Sequence, residues 1–135
     1  MVSLSREVDY AIRSLVYMGC HLKSTPGAVL SVEDISAAQK LPHALLRRIL
    51  QRLAREGIIR SIKGKGGGFG MRKELHDITV AELVMLFQPY VTDDVCYVRQ
   101  KRCASVKTCK VRKRIGEINK MVNEQLELMT IASLL

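Results

Sequence analysis

Residues 41–71 read LPHALLRRILQRLAREGIIRSIKGKGGGFGM, and this stretch decides the fold. Pro42 takes the place of a first helical residue, and Leu45, Leu46, Ile49, Leu50 and Leu53 follow as an apolar stripe at helical spacing. The opposite face carries His43, Arg47, Arg48, Gln51, Arg52 and Arg55, and Gly57 is the natural stop. Ile58 to Ile62 alternate and are rich in β-branched residues, which predicts a strand. Lys63-Gly64-Lys65-Gly66-Gly67-Gly68 is a basic tip, and Phe69 to Met71 can return as the partner strand. A basic helix followed by a basic, glycine-rich hairpin is the pattern of a recognition helix and its wing. Such a tip lets backbone approach phosphates closely and lets a long cation reach a minor groove. A phosphate-cradling P-loop would need a Lys-Ser/Thr pair and a following helix, whereas Phe69 and a strand follow here.

Upstream, Ser31-Val32-Glu33-Asp34 can cap a short helix running through Gln39 or Lys40. Joined to the basic helix by a tight turn, it completes a helix-turn-helix whose second member enters a major groove. Val29 and Leu30 form a short extended piece before it. Val8, Ala11, Ile12, Leu15, Val16, Gly19 and Leu22 recur at three- and four-residue steps, predicting a first helix from a Ser5 cap to about Lys23.

Downstream, Thr79 and Glu82 have capping-box spacing and open a helix that runs to Gln88-Pro89. From Lys110, the stripe Val111, Ile115, Ile118, Val122, Leu126 and Met129, widened by Met121, Leu128, Ile131 and Leu135, predicts one long helix. A helix apolar over more than one face at the end of a small domain packs on its own core and on another chain, so a two-fold homodimer is expected. The fold class is therefore mainly α with a small β-wing. A winged helix-turn-helix DNA-binding domain spans residues 1–89, a cysteine-containing loop 90–109 and a dimerisation helix 110–135.

Charge points to the same partner. Residues 40–73 carry ten Lys or Arg against the single acid Glu56, while the remaining residues carry twelve of each sign, so the net charge of +9 is concentrated in one segment. That is the electrostatic footprint of a polyanion-binding surface, although a merely solvated basic face would look similar. Trp is absent and aromatics are 4% of the chain, which favours double-stranded DNA over single strands read by base stacking. No apolar run approaches a membrane span, and the charged, amphipathic stretch from Met1 to Ser14 lacks the apolar core of a signal peptide, so the chain reads as cytoplasmic with no membrane partner.

Cysteines in that compartment stay reduced, and three of the four, Cys96, Cys103 and Cys109, fall in one loop with no Asp or Glu between residues 95 and 114. The surrounding Arg99, Lys101, Arg102, Lys107, Lys110, Arg112, Lys113 and Arg114 favour thiolate over thiol, and thiolates suit zinc or iron-sulfur clusters. Spacing alone does not name the metal, and free thiols are the alternative. Cys20, alone in the first helix, reads as a small buried hydrophobe, His21 as flanking a helix end, and His76 as structural or exposed, with ligation the lesser alternative. An enzyme with a cysteine nucleophile has little support, since there is no Cys-x-x-Cys and no base paired with any cysteine.

Taken in order, the first helix, the helix-turn-helix, the Lys63 to Phe69 wing, the Asp77-Ile78-Thr79-Val80-Ala81-Glu82 segment, the cysteine spacing and the long last helix resemble the IscR, NsrR and RirA group of winged-helix iron-sulfur regulators over essentially the whole chain. The resemblance implies homodimers on pseudo-palindromic promoter DNA. Pro42 to Glu56 would lie in the major groove and the wing in the minor groove. By position Arg47 and Arg48 match base-facing residues, and Lys63 stands where an arginine is common, which departs from the usual minor-groove reading. Arg52, Arg55 and Lys65 are assigned to phosphates, with Pro42, His43, Gly66 and Gly67 on the same surface. For the cysteines it implies that Cys96, Cys103 and Cys109 hold a 2Fe-2S or 4Fe-4S cluster that senses nitric oxide, redox state, iron or cluster supply. The histidine that follows the last cysteine by three residues in IscR-like members is Arg112 here, which cannot ligate. The NsrR-like alternative is an aspartate of the partner's first helix, matched by Asp9, whose other reading is a solvated acid near a helix start. A cluster-free regulator signalling through thiol oxidation or a protein partner is the competing expectation.

Overall fold

The computed structural model describes residues 3–88 and 95–135. Helix α1 spans Arg6–Ser24, α2 Val32–Gln39 and α3 His43–Arg55; strands β1 and β2 span Ile59–Ile62 and Gly68–Met71. A 3-10 turn, Leu75–Asp77, precedes α4, Val80–Phe87; α5 spans Lys110–Leu128, and a second 3-10 turn, Ala132–Leu134, ends the chain. Mainly helical, with a two-stranded wing, this is the expected winged helix-turn-helix with a long C-terminal helix. The expected exit of α4 at Pro89, and with it the boundary between residues 89 and 90, lies outside the described residues.

Local signals set the helix starts. Ser5 Oγ accepts the Val8 N–H at 3.2 Å, and Ser31 and Asp34 form a reciprocal capping box, each side chain accepting the other's backbone N–H. Two starts differ from expectation. Pro42 is the cap of α3 rather than its first residue: its ψ of 122° is extended while its carbonyl accepts the Leu46 N–H. At α4 the box is only half made. Thr79 Oγ1 accepts the Glu82 N–H at 3.1 Å, but the Glu82 carboxylate turns to Lys73 Nζ at 2.6 Å. An ammonium donor just past the wing outcompetes the backbone amide.

The apolar stripes of α1, α2 and α3 meet in one core in which Leu15, Ile35, Leu46, Ile49, Leu50 and Leu53 are buried. Burying side chains of this size is worth about 1.5–3 kcal/mol each, so the core holds α3 rigidly with its arginines outward. The wing is antiparallel, with Ile59 opposite Met71 and Ile62 opposite Gly68. The extended piece at Leu30 pairs with the outer edge of β2, Leu30 N donating to Phe69 O at 2.9 Å and Phe69 N to Leu30 O at 2.7 Å. This close approach explains Gly68, where a side chain would strike the Leu30 carbonyl, and the tightness of the hairpin explains Gly67, where one would strike the Ile62 carbonyl.

The C-terminus departs most from expectation. Helix α5 stops at Leu128; Met129 is extended, Val80 N donates to Met129 O at 2.8 Å, and Ile131 N donates to Ile78 O at 2.9 Å. A bridge between Thr79 and Thr130 thus replaces the helical ladder, and Ile131 is fully buried in the domain core. Along α5 itself no residue is buried, and Val111, Ile118 and Met121 are more than half exposed. Cys20 is likewise exposed, against the reading of it as a buried hydrophobe: it falls on the outward side of α1, between the buried Met18 and Gly19 and the solvent.

Candidate DNA interface and cysteine loop

The basic positions of α3 are presented together. Pro42, His43, Arg47, Arg48, Arg52 and Arg55 are all exposed, because the stripe that buries Leu46, Ile49, Leu50 and Leu53 turns them to the opposite side. Lys63, Lys65 and Gly66 are exposed at the wing tip, and Gly67 is half-buried. A cleft bordered by Glu33, Arg47, Gln51, Lys63, Gly64 and Gly67 makes α3 and the wing one continuous surface. Two acids temper it. Arg52 Nε lies 3.3 Å from Glu56 Oε1, and His43 Nε2 lies 2.9 Å from Glu33 Oε1. The His43 hydrogen bond holds the Glu33 carboxyl below the usual carboxylate range. Glu33 was not marked by the sequence as part of this surface. Only the helix-turn-helix turn brings it to a histidine ten positions away.

The cysteine loop is built from turns. Cys96 N donates to Lys101 O and Gln100 N to Cys96 O, both at 2.8 Å, and Val95 bridges Arg102. Val106 N then donates to Cys103 O at 3.2 Å. Cys109 caps α5, its Sγ accepting the Arg112 N–H at 3.5 Å. All three thiols are half-buried and free of disulfides. The Arg99 and Val98 backbone N–H groups directed at Cys96 lower its thiol pKa, with a smaller contribution from the Arg99 and Arg112 charges.

Three free thiols, one with a lowered pKa, are donors of the kind that suits a soft-metal group. The three are spread along the loop, however, and among the described residues no three His, Cys, Asp or Glu side chains stand together as a ligand set within one chain. Asp9 is exposed on α1 and lies 3.7 Å from Arg13 Nη1, an open contact of little energetic weight. His21 Nδ1 is 3.1 Å from the Tyr17 carbonyl oxygen, and His76 is exposed beside Asp77. No described helix is long and apolar enough to cross a membrane.

Among known proteins, the model of the Rrf2 family, described as "Iron-dependent Transcriptional regulator", matches residues 4–135. A putative HTH-type transcriptional regulator of Aquifex aeolicus is 26% identical over 133 residues, covering 97% of this chain and 90% of that protein. Among solved structures, T. potens IscR is similar with a TM-score of 0.73 at 22% identity, covering 98% of this chain and 85% of that one. CymR, the global cysteine regulator of B. subtilis, is similar with a TM-score of 0.75 at 20% identity, covering 99% of this chain and 96% of that one. At these identities the two structures speak for the fold.

Proposed function

We propose that the chain, which belongs to the Rrf2 family of transcriptional regulators, acts in the cytoplasm as a two-fold homodimer on promoter DNA, with affinity set by a labile iron-sulfur cluster. It is a regulator and not an enzyme. The observation that carries the reading is the single exposed surface joining the α3 arginines to the lysines of the wing. In this reading α3 lies in the major groove, where Arg47 and Arg48 read base edges; Arg52, Arg55 and Lys65 neutralise phosphates; and Lys63 enters the minor groove. His43 and Pro42 cover the N-terminal end of α3, and Gly66 and Gly67 let the wing backbone close on the sugar-phosphate chain.

The unburied, apolar face of α5 fits a second copy of the same helix, which would set the two α3 helices one duplex turn apart. Cys96, Cys103 and Cys109 would hold the cluster, and Asp9 of the partner subunit, tied only loosely to its own Arg13, would supply the fourth ligand. When bound, the cluster supplies iron-thiolate bonds that nitric oxide, oxygen or iron scarcity break. The family's description as iron-dependent supports this reading. The chain's own part is mechanical. Cys109 starts α5, a rod of roughly 28 Å at 1.5 Å per residue, and the segment just past its far end is bonded beside the start of α4, Met129 O accepting from Val80 N and Ile131 N donating to Ile78 O. A loop gathered around a ligand therefore differs from an open one in where it places the start of that rod, which biases the spacing of the two α3 helices.

A second reading, cluster-free control by thiol oxidation or a protein partner, is favoured by the spread of the three thiols and by Arg112. Metal-free protein with full signal-dependent DNA binding would establish it. The DNA assignments have their own test. Lys65→Ala should lower the slope of log affinity against log salt by about one while keeping sequence preference, because it removes one phosphate contact. Arg47→Ala should instead cost about 1–3 kcal/mol on the preferred site and relax discrimination at one base pair. Equal losses on specific and random duplexes for Arg47→Ala would contradict its role as a base reader.

A further inference from the structure

Arg112 does more than fill a position where it cannot ligate. Its Nη1 donates to the Val95 carbonyl at 2.6 Å, and its guanidinium carbon lies 5.0 Å from the centre of the Tyr97 ring. Val95 and Tyr97 flank Cys96. Through its own backbone N–H the same residue contacts Cys109 Sγ, so one residue on the first turn of α5 reaches both ends of the cysteine loop. The turn it holds is closed locally by Cys96 N to Lys101 O and Gln100 N to Cys96 O, and it has no sequence-local reason to lie against α5. We propose that Arg112 is the positioning residue of the cysteine loop, a clasp whose planar guanidinium fastens the 95–102 turn to the start of α5, so that the first and last thiols share one framework before any ligand arrives. A guanidinium suits such a clasp because it stays charged, its fork directs a donor at a carbonyl, and its face stacks on an aromatic ring, none of which a histidine would do equally well.

The clasp stands on these contacts and needs no cluster. Its value for gathering thiols rests on the cluster reading above, and the two are tested separately. Hydrogen exchange of the Cys96 and Gln100 amides in the metal-free full-length protein reads the clasp directly. Arg112→Met should speed that exchange about tenfold or more, the loss expected for a charged hydrogen bond with a cation-π contact. Arg112→Lys, which keeps the charge but loses the plane, should fall between, and α3 amides should be unchanged. Exchange in Arg112→Met within about twofold of the unaltered protein would overturn the proposal. Should Arg112→Met lose helix by circular dichroism, Tyr97→Leu carries the test: faster exchange of the same two amides supports the clasp, and unchanged exchange overturns it. A chain that never takes up iron and sulfide would count against the cluster while leaving the exchange result to decide the clasp.

Discussion

Replacing Ile131 by alanine should lower the free energy of unfolding by about 2–5 kcal/mol, the range for removing a fully buried aliphatic side chain that leaves a cavity. Ile131 is wholly inaccessible to solvent, and its backbone N–H is bonded to Ile78. The tail also packs on α1, where Leu135 and Leu75 crowd Gly19. The loss should appear as a lower urea midpoint with an unchanged slope, because the same surface is exposed on unfolding. Dimer affinity should hold. Were Ile131 instead part of a continuous interface helix, the substitution would weaken dimerisation and leave the domain core intact. A change below about 0.5 kcal/mol, the size of an ordinary surface effect, would contradict the placement of the tail in the core. There is a functional side to the same residue. If the tail couples α5 to the body that carries the wing, Ile131→Ala should also blunt the response of DNA affinity to the state of the cysteine loop.

The second large effect is expected at Cys103. Serine in its place keeps the volume but offers a hard hydroxyl that stays protonated at neutral pH, so the soft ligand that the cluster reading assigns to Cys103 is lost outright. Anaerobically reconstituted Cys103→Ser protein should lack the visible absorption of a cluster, with bound iron and sulfide falling to background. Cys20→Ser is the internal control. Cys20 is exposed on α1, away from the loop sequence, and its loss should leave the colour intact. Equal colour in both variants would remove Cys103 from the ligand set.

How much of this was legible in the sequence depends on the range of the interactions involved. The starts of α1 and α2 follow from Ser5 and Ser31, each acting within three residues, and the wing follows from alternation and glycine. Such signals are local, and they survive folding unchanged. The basic surface was legible for the same reason: the stripe that buries α3 also dictates which of its residues face out. What failed was non-local. Ile131 continues the helical spacing of α5, so periodicity alone extends the helix through it. Only the Thr79-Thr130 pairing, between segments about fifty residues apart, takes it into the core. The spacing of Thr79 and Glu82 promised a full capping box, but Lys73 was a better partner for the carboxylate. Cys20 belongs to a residue type that is often buried, and one residue carries no periodicity to correct that expectation. The contacts of Arg112 cross seventeen positions to Val95, and from the sequence it could be recognised only as a residue unable to ligate.

The central claim, that cluster state sets DNA affinity, is tested most directly by one comparison. Promoter fragments enriched from genomic DNA by the protein would be bound, at fixed salt and without oxygen, by reconstituted and by metal-stripped dimer. The expected result is a difference in affinity of about 5- to 150-fold, the usual range of coupling between two sites, which Cys103→Ser abolishes. Equal affinity of the two forms, or repeated reconstitution that yields neither bound iron nor sulfide, would contradict it.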